Sequence, residues 1–147
     1  MKDMTEKERK AIGEKAYQYH KNGFHCAEAV VAAVLEAIGE EISEASAHAT
    51  AFGGGFGRTR QEACGVLSGA LIVIGHLHGR RKPGGRWDRA AILGAKIHRH
   101  FLIDYGTTRC ETLCNRFSKE DQEVECKALT KEITLKLLAI LMENSDD

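Results

Sequence analysis

The residues of this chain best suited to chemistry are its cysteines. They are Cys26, Cys64, Cys110, Cys114 and Cys126. Because their number is odd and the domain is large enough to fold without cross-links, we expect thiols or metal ligands rather than a disulfide framework. The sequence contains no Cys-x-x-Cys pair, which argues against thioredoxin-like or zinc-ribbon chemistry.

The cysteines fall at informative positions on the predicted helices. Cys26 should lie in the first turn of a helix, where unpaired amides and the positive end of the dipole favour a thiolate. Cys110 and Cys114 are one helical turn apart on a common face, and Cys126 lies on the apolar stripe of the last helix. A single cysteine is more often a small hydrophobic core residue. Five of them at helix starts or on inward faces indicate a functional cluster.

A glycine-rich loop and a long apolar segment should position Cys64. Thr59 and Glu62 have the spacing of a capping box, which predicts a helix that begins there with Cys64 in its second turn. Residues 63–77 are apolar almost throughout, as is typical of a helix buried in the middle of a domain. Residues 71–74, three of which are β-branched, also fit a short strand, but the length of the apolar run favours a helix.

Small residues indicate what packs against this helix. Gly65 and Gly69 lie one turn apart, and glycine inside a helix is unfavourable unless the missing side chain lets another backbone approach. The second helix carries a stripe of small residues that would suit such an approach: Ala29, Ala33 and Ala37. We therefore expect the helices that carry Cys26 and Cys64 to pack closely.

Capping and termination signals define the other helices. The predicted elements are a helix from the capping box Thr5/Glu8 to Asn22, one from His25–Cys26 to Ile38, a short one over 43–51, one from Asp88 to Gly106, one holding Cys110 and Cys114, and a last one capped by Ser118 and Asp121. With the central helix, the sequence predicts an all-α fold, a bundle of about five to seven helices around a buried apolar central helix. All connections are short, so residues 1–147 should form a single domain.

Charge and hydropathy limit the expected partners. The chain has 21 basic and 21 acidic residues, so the long-range attraction to nucleic acid or to anionic membranes is absent. No apolar run reaches the roughly 20 residues that span a bilayer, and the N-terminus has no apolar leader, so we expect a cytoplasmic protein. The basic loop Arg80–Arg86 is either a solvated turn, which the neutral composition favours, or a docking site for an acidic partner or ligand.

The cysteines and glycines also follow a familiar order. The segments concerned are Cys26 to Val30, the loop from Phe52 to Arg58, the core Cys64-Gly65-Val66-Leu67-Ser68-Gly69, Cys110 and Cys126. Together they resemble the C_GCAxxG_C_C family of putative redox-active proteins, over roughly residues 10 to 140. That family is defined by four cysteines and a Cys-Gly-Ala-x-x-Gly core. Val66 replaces the alanine here, and Cys114 is an additional thiol.

The resemblance implies thiol redox chemistry or metal binding and names no substrate. One hypothesis is a reversible disulfide between Cys26 and Cys64, exchanged with an unknown redox partner, while Cys110, Cys114 and Cys126 resolve or relay it. The alternative is a binding module in which the same cysteines hold an iron–sulfur cluster or a zinc ion. A third hypothesis is a helical domain, or a homodimer of such domains, with purely structural cysteines.

Overall fold

The computed structural model of the protein describes residues 3–143, and this part of the chain is α-helical without a β-strand. Its seven α-helices are α1 (Glu6–Lys21), α2 (Cys26–Ala37), α3 (Ser43–Ala49), α4 (Gly65–His78), α5 (Asp88–Tyr105), α6 (Cys110–Cys114) and α7 (Gln122–Leu141). A single 3₁₀ turn, Thr50–Phe52, follows α3. The predicted all-α fold of about five to seven helices is confirmed. Within these residues, no helix combines the length and the apolarity needed to cross a membrane.

Several helix ends lie where the local signals predict them. The Thr5 hydroxyl accepts a hydrogen bond from the Glu8 amide at 3.1 Å, and the Glu8 carboxylate accepts one from the Thr5 amide at 2.8 Å, which caps α1. His25 is the N-cap of α2. Gly106 ends α5 in the left-handed conformation, with φ of 75°.

The predicted start of the helix that carries Cys64 is wrong. Helix α4 begins at Gly65, so Cys64 is its N-cap and does not lie in its second turn. The Thr59 hydroxyl donates to the Gly55 carbonyl at 2.7 Å and accepts from the Gln61 amide at 3.2 Å, so it closes a turn of the glycine-rich loop instead of capping a helix. The local spacing was compatible with a capping box, but tertiary packing of the loop decides the outcome.

Two other predicted caps also differ from the structure. Asp88 is the first residue of α5, and Trp87 is its N-cap. The N-cap of α7 is Asp121, whose side chain makes no capping bond. Instead, the Ser118 hydroxyl donates to the Asp121 carboxylate at 2.9 Å and accepts from the Asp121 amide at 3.3 Å, so this pair stabilises the turn before the helix.

The most deeply buried helix is α2. Its residues 29–35 are each at most 1% exposed, and it packs against α1, α3, α4 and α7. Helix α4 is buried from Gly65 to Ala70, but Leu71 on its outer side is 42% exposed. The prediction that α4 forms the buried centre of the bundle is therefore not confirmed. The apolar sequences of α2 and α4 make both helices suitable for the interior of the bundle. Of these two, only α2 is covered by other helices on all sides.

The close packing of α2 and α4 through glycine is confirmed, but the contacting residues differ from the prediction. A Cβ atom on Gly69 would lie 2.6 Å from the Ala27 carbonyl oxygen, and a Cβ atom on Gly65 would overlap the Cys26 sulfur. The two glycines thus face the first turn of α2. They do not face the predicted alanine stripe, whose last member, Ala37, is exposed.

The basic loop between α4 and α5 is exposed along its length. Arg86 forms an ion pair with Asp88 at 2.6 Å, and Arg81 donates to the carbonyl oxygens of His76 and Gly79. None of its residues lines the pocket described below. Such exposure and such local contacts are typical of a solvated turn. A docking role for an acidic partner or ligand stays a prediction.

Two glycines of α4 allow a matched test of the packing. Gly69→Ala should destabilise the protein by about 1–3 kcal/mol, because the new methyl group meets the backbone of Ala27. Gly75→Ala should instead stabilise it by about 0.5–1 kcal/mol, since a Cβ atom there meets no atom within 4 Å and alanine favours the helix. Urea unfolding of both variants measures these changes, and an increase in stability for both would contradict the packing.

Candidate functional site

All five cysteines line a single pocket of about 210 Å³. Cys26 comes from α2, Cys64 from the start of α4, Cys110 and Cys114 from α6, and Cys126 from α7. The structure thus brings together every residue of the predicted cluster. Their chemical role stays a prediction. The pocket also includes residues that the sequence analysis did not single out for a site, among them His20, Arg60, Phe117, Glu125 and Leu129.

Backbone hydrogen bonds hold Cys64 next to Cys110. The Cys64 amide donates to the Thr108 carbonyl at 2.6 Å, and the Cys110 amide donates to the Glu62 carbonyl at 2.9 Å. These bonds flank a short antiparallel bridge between Ala63 and Arg109. Two cysteines that are distant in the sequence are therefore fixed at one edge of the pocket without help from their side chains.

The glycine-rich loop forms another wall of the site in an unusual backbone conformation. The five consecutive residues 54–58 all have φ between 60° and 69°, and two of them, Phe56 and Arg58, are not glycine. A left-handed conformation costs a non-glycine residue about 1–2 kcal/mol. Backbone bonds offset this cost, including those from the Gly57 amide to the Ala51 carbonyl at 2.8 Å and from the Arg60 amide to the Gly54 carbonyl at 2.8 Å.

Glycine is required where this loop and α4 meet the site. A Cβ atom on Gly53 would lie 2.6 Å from the His25 ring, and one on Gly55 would lie 2.6 Å from the Cys110 Cβ atom. The Gly65 position leaves room for the Cys26 sulfur in the same way. The sequence predicted only that the glycine-rich loop helps to position Cys64. The loop glycines Gly53 and Gly55 let the backbone contact His25 and Cys110, and Gly65 of α4 does the same for Cys26.

All five thiols are free. The sulfurs of Cys110 and Cys114 lie 3.9 Å apart, which is well beyond the roughly 2.05 Å of a disulfide bond. Burial is the main cause that raises the pKa of Cys64 above its usual range. Burial followed by the neighbouring Cys114 raises the pKa of Cys110 and of Cys126 to about 12. These three thiols are therefore protonated at neutral pH.

Cys26 differs because a histidine accompanies it. The pKa of His25 is raised, first by the neighbouring Cys26 side chain, against the opposing effect of desolvation, and further by the Thr50 carbonyl and Glu28. A positive charge at His25 would favour a thiolate at Cys26. The sequence placed His25 at the N-cap but gave no role to Glu28, although the His25/Glu28 spacing repeats that of Thr5/Glu8.

His20 is the second histidine at the pocket. Its Nδ1 lies 3.0 Å from the Thr130 hydroxyl oxygen, and that hydroxyl donates to the Cys126 carbonyl at 2.9 Å. Because the hydroxyl proton is already committed, Nδ1 must carry the proton and donate. Desolvation, followed by the charges of Lys127 and His25, lowers the pKa of His20 to about 4. His20 is therefore neutral at pH 7.

Metal ligation requires closer convergence than this arrangement provides. Among the described residues, no three His, Cys, Asp or Glu side chains are grouped so that they could hold a metal ion. The iron–sulfur and zinc hypotheses consequently depend on a rearrangement of the same cysteines.

The fold and site define an all-α protein whose thiols share one pocket. A family model described as "Putative redox-active protein (C_GCAxxG_C_C)" matches residues 24–140. The chain therefore belongs to the C_GCAxxG_C_C family, as its motifs suggested, and the match includes every cysteine. No match was found among curated proteins or among solved structures.

The depressed pKa of His20 predicts a loss of stability in acid. Between pH 6.5 and about 4 the unfolded chain binds a proton at His20 and the folded chain does not, so stability should fall by up to about 2–3 kcal/mol as the pH decreases. The raised pKa of His25 does not add to this loss, because its contribution is complete below pH 6.5. The variant His20→Asn retains an amide that can donate to Thr130. Its stability should fall much less than that of the wild type over the same pH range.

Urea unfolding at pH 7 and pH 4.5 measures this difference. His48→Asn is the matched control, since the His48 side chain is 67% exposed. An equal loss of stability in the wild type and in His20→Asn would contradict the assignment of a buried neutral imidazole.

Proposed function

We propose that this protein is a thiol redox protein that exchanges two electrons with a disulfide-bearing partner through a reversible Cys26–Cys64 disulfide. The observation that carries the proposal is the convergence of all five thiols on one pocket. Membership in a family described as redox-active supports the same class of chemistry. The partner is a protein or a small molecule with an accessible disulfide.

The choice of Cys26 and Cys64 as the redox pair rests on their immediate surroundings. The Cys26 sulfur lies against Gly65, the residue that follows Cys64, and glycine leaves the space between α2 and α4 open to sulfur. After burial, the charge of Cys26 is the largest influence that raises the pKa of Cys64. Both observations support Cys26 and Cys64 as neighbours in the pocket and therefore as the redox pair.

The exchange proceeds in two displacement steps. The Cys26 thiolate attacks one sulfur of the partner disulfide, which forms a mixed disulfide and releases one partner thiolate. Cys64 then loses its proton and attacks the Cys26 sulfur, which releases the second partner thiolate. The partner disulfide is reduced to two thiols, the two protein thiols are oxidised to one disulfide, and the protons pass to the partner.

Cys110, Cys114 and Cys126 supply further thiols to the same pocket. The sulfurs of Cys110 and Cys114 are 3.9 Å apart. In this proposal these thiols stay reduced while Cys26 and Cys64 are oxidised, because the high pKa of Cys110 leaves little thiolate to attack the Cys26–Cys64 disulfide.

Equilibration with mixtures of reduced and oxidised glutathione tests the proposal. Protein purified without oxygen should lose two thiols in one two-electron transition, and peptide mapping should find Cys26 joined to Cys64. Cys26→Ser and Cys64→Ser should each abolish this transition. Cys126→Ser is the matched control, and it should retain it because Cys126 lies outside the proposed pair.

Three results would contradict the proposal. The first is the retention of five free thiols in an oxidising buffer, as expected for structural cysteines. The second is independent glutathionylation of the thiols without an internal disulfide. The third is stoichiometric zinc, or iron with absorbance near 400 nm, which would support the metal-binding alternative.

A further inference from the structure

The ring of His25 is held in one tautomer. Its Nε2 lies 2.8 Å from the Thr50 carbonyl oxygen and 3.2 Å from a Glu28 carboxylate oxygen. Both oxygens only accept hydrogen bonds, so Nε2 must carry a proton. In the neutral ring the other nitrogen, Nδ1, is then a bare proton acceptor.

Glu28 and Thr50, which contact the His25 ring, are themselves held in place by hydrogen bonds. Glu28 accepts a hydrogen bond from the His25 amide at 3.1 Å and one from the Thr50 hydroxyl at 2.7 Å. On its other side the ring packs against Gly53, where a Cβ atom would lie 2.6 Å from two ring atoms. The imidazole is therefore positioned by two helical segments and the glycine-rich loop.

The other nitrogen of this ring has no hydrogen-bond partner in the described structure. Nδ1 is buried and makes no hydrogen bond. A buried acceptor without a partner is costly and uncommon at a structural site. The side chain that interacts with the ring and bears a transferable proton is Cys26. Contacts between a base and its nucleophile are often long before a substrate binds.

We propose that His25 is the proton acceptor of Cys26, and that Glu28 and the Thr50 carbonyl orient it for this role. The inference rests on the proposed function and assigns a catalytic base to its first step. The proton of the Cys26 thiol moves to His25 Nδ1, which leaves a thiolate beside an imidazolium ion. The thiolate attacks the partner disulfide, one S–S bond breaks as another forms, and the leaving thiolate takes the proton from Nδ1.

Few other ionisable groups face His25. Glu28 and Cys26 are on the same helix, and His20 faces it from α1. The 3₁₀ turn contributes the uncharged Thr50 carbonyl, and the loop contributes Gly53. His20 stays neutral above about pH 4, so its titration lies below the range in which His25 is tested.

The test is the rate at which iodoacetamide alkylates Cys26 in fully reduced protein between pH 5.5 and pH 10, followed by mass-spectrometric peptide mapping. His25→Asn keeps a good N-cap residue and removes the imidazole. At pH 6 it should slow the alkylation of Cys26 by about tenfold or more, because no imidazole is then present to accept the thiol proton. At pH 10 the two rates should agree within about twofold, since base from the solvent then replaces the imidazole.

Two further variants separate catalysis from folding. Gly53→Ala keeps His25 but displaces its ring, and φ of −61° at this position suits alanine. Glu28→Gln keeps the hydrogen-bonding shape without the charge. Both should reduce the rate at pH 6 and leave the rate at pH 10 unchanged. His48→Asn and Gly75→Ala, which lie outside the pocket, are the matched controls and should retain the wild-type profile.

A wild-type rate at pH 6 in both His25→Asn and Gly53→Ala would overturn the inference. An equal loss of rate at all pH values would also overturn it, because that pattern indicates reduced access to Cys26. If His25→Asn does not fold, the Gly53→Ala profile decides between these results. No oxidant enters this experiment, so its outcome is independent of the glutathione test of the Cys26–Cys64 disulfide.

Discussion

The contact between the first turns of α2 and α4 is the constraint on which the site depends. Gly69 lies against the Ala27 backbone, and Gly65 lies against the Cys26 sulfur, so a side chain at either position would separate the helices. This approach places Cys26 beside the start of α4, where Cys64 is the N-cap. The bridge between Ala63 and Arg109 then adds Cys110. A steric requirement for glycine in the core is thus also a requirement for the thiol cluster.

The electrostatics of the pocket give the thiols different states. Burial keeps Cys64, Cys110 and Cys126 protonated, since it raises the pKa of each. Cys26 lies instead beside an imidazole whose pKa is raised. Burial thus gives three of the thiols one electrostatic environment, and the neighbouring histidine gives Cys26 another.

Local sequence signals predicted much of the fold, because helix caps and apolar spacing involve residues close in the chain. The Thr5/Glu8 cap, the His25 N-cap and the Gly106 terminus were all predictable in this way. The start of α4 was not, because residues 62–64, which lead into it, are held by backbone hydrogen bonds to the distant residues 108–110. The cysteines could be named from their pattern. The role of the Thr50 carbonyl could not be predicted from the sequence. Every residue has a backbone carbonyl, and only tertiary packing brings this one to the His25 ring.

The most direct test of this account is a crystal structure of the protein after oxidation by a partner-like disulfide, compared with that of the reduced protein. A Cys26–Cys64 redox pair should show a sulfur–sulfur distance of about 2.05 Å in the oxidised crystal. The reduced crystal should show separate thiols at the same positions, with the His25 ring still held by Thr50 and Glu28. Separate Cys26 and Cys64 sulfurs after oxidation, or a metal ion bound by the cysteines in either crystal, would contradict this account.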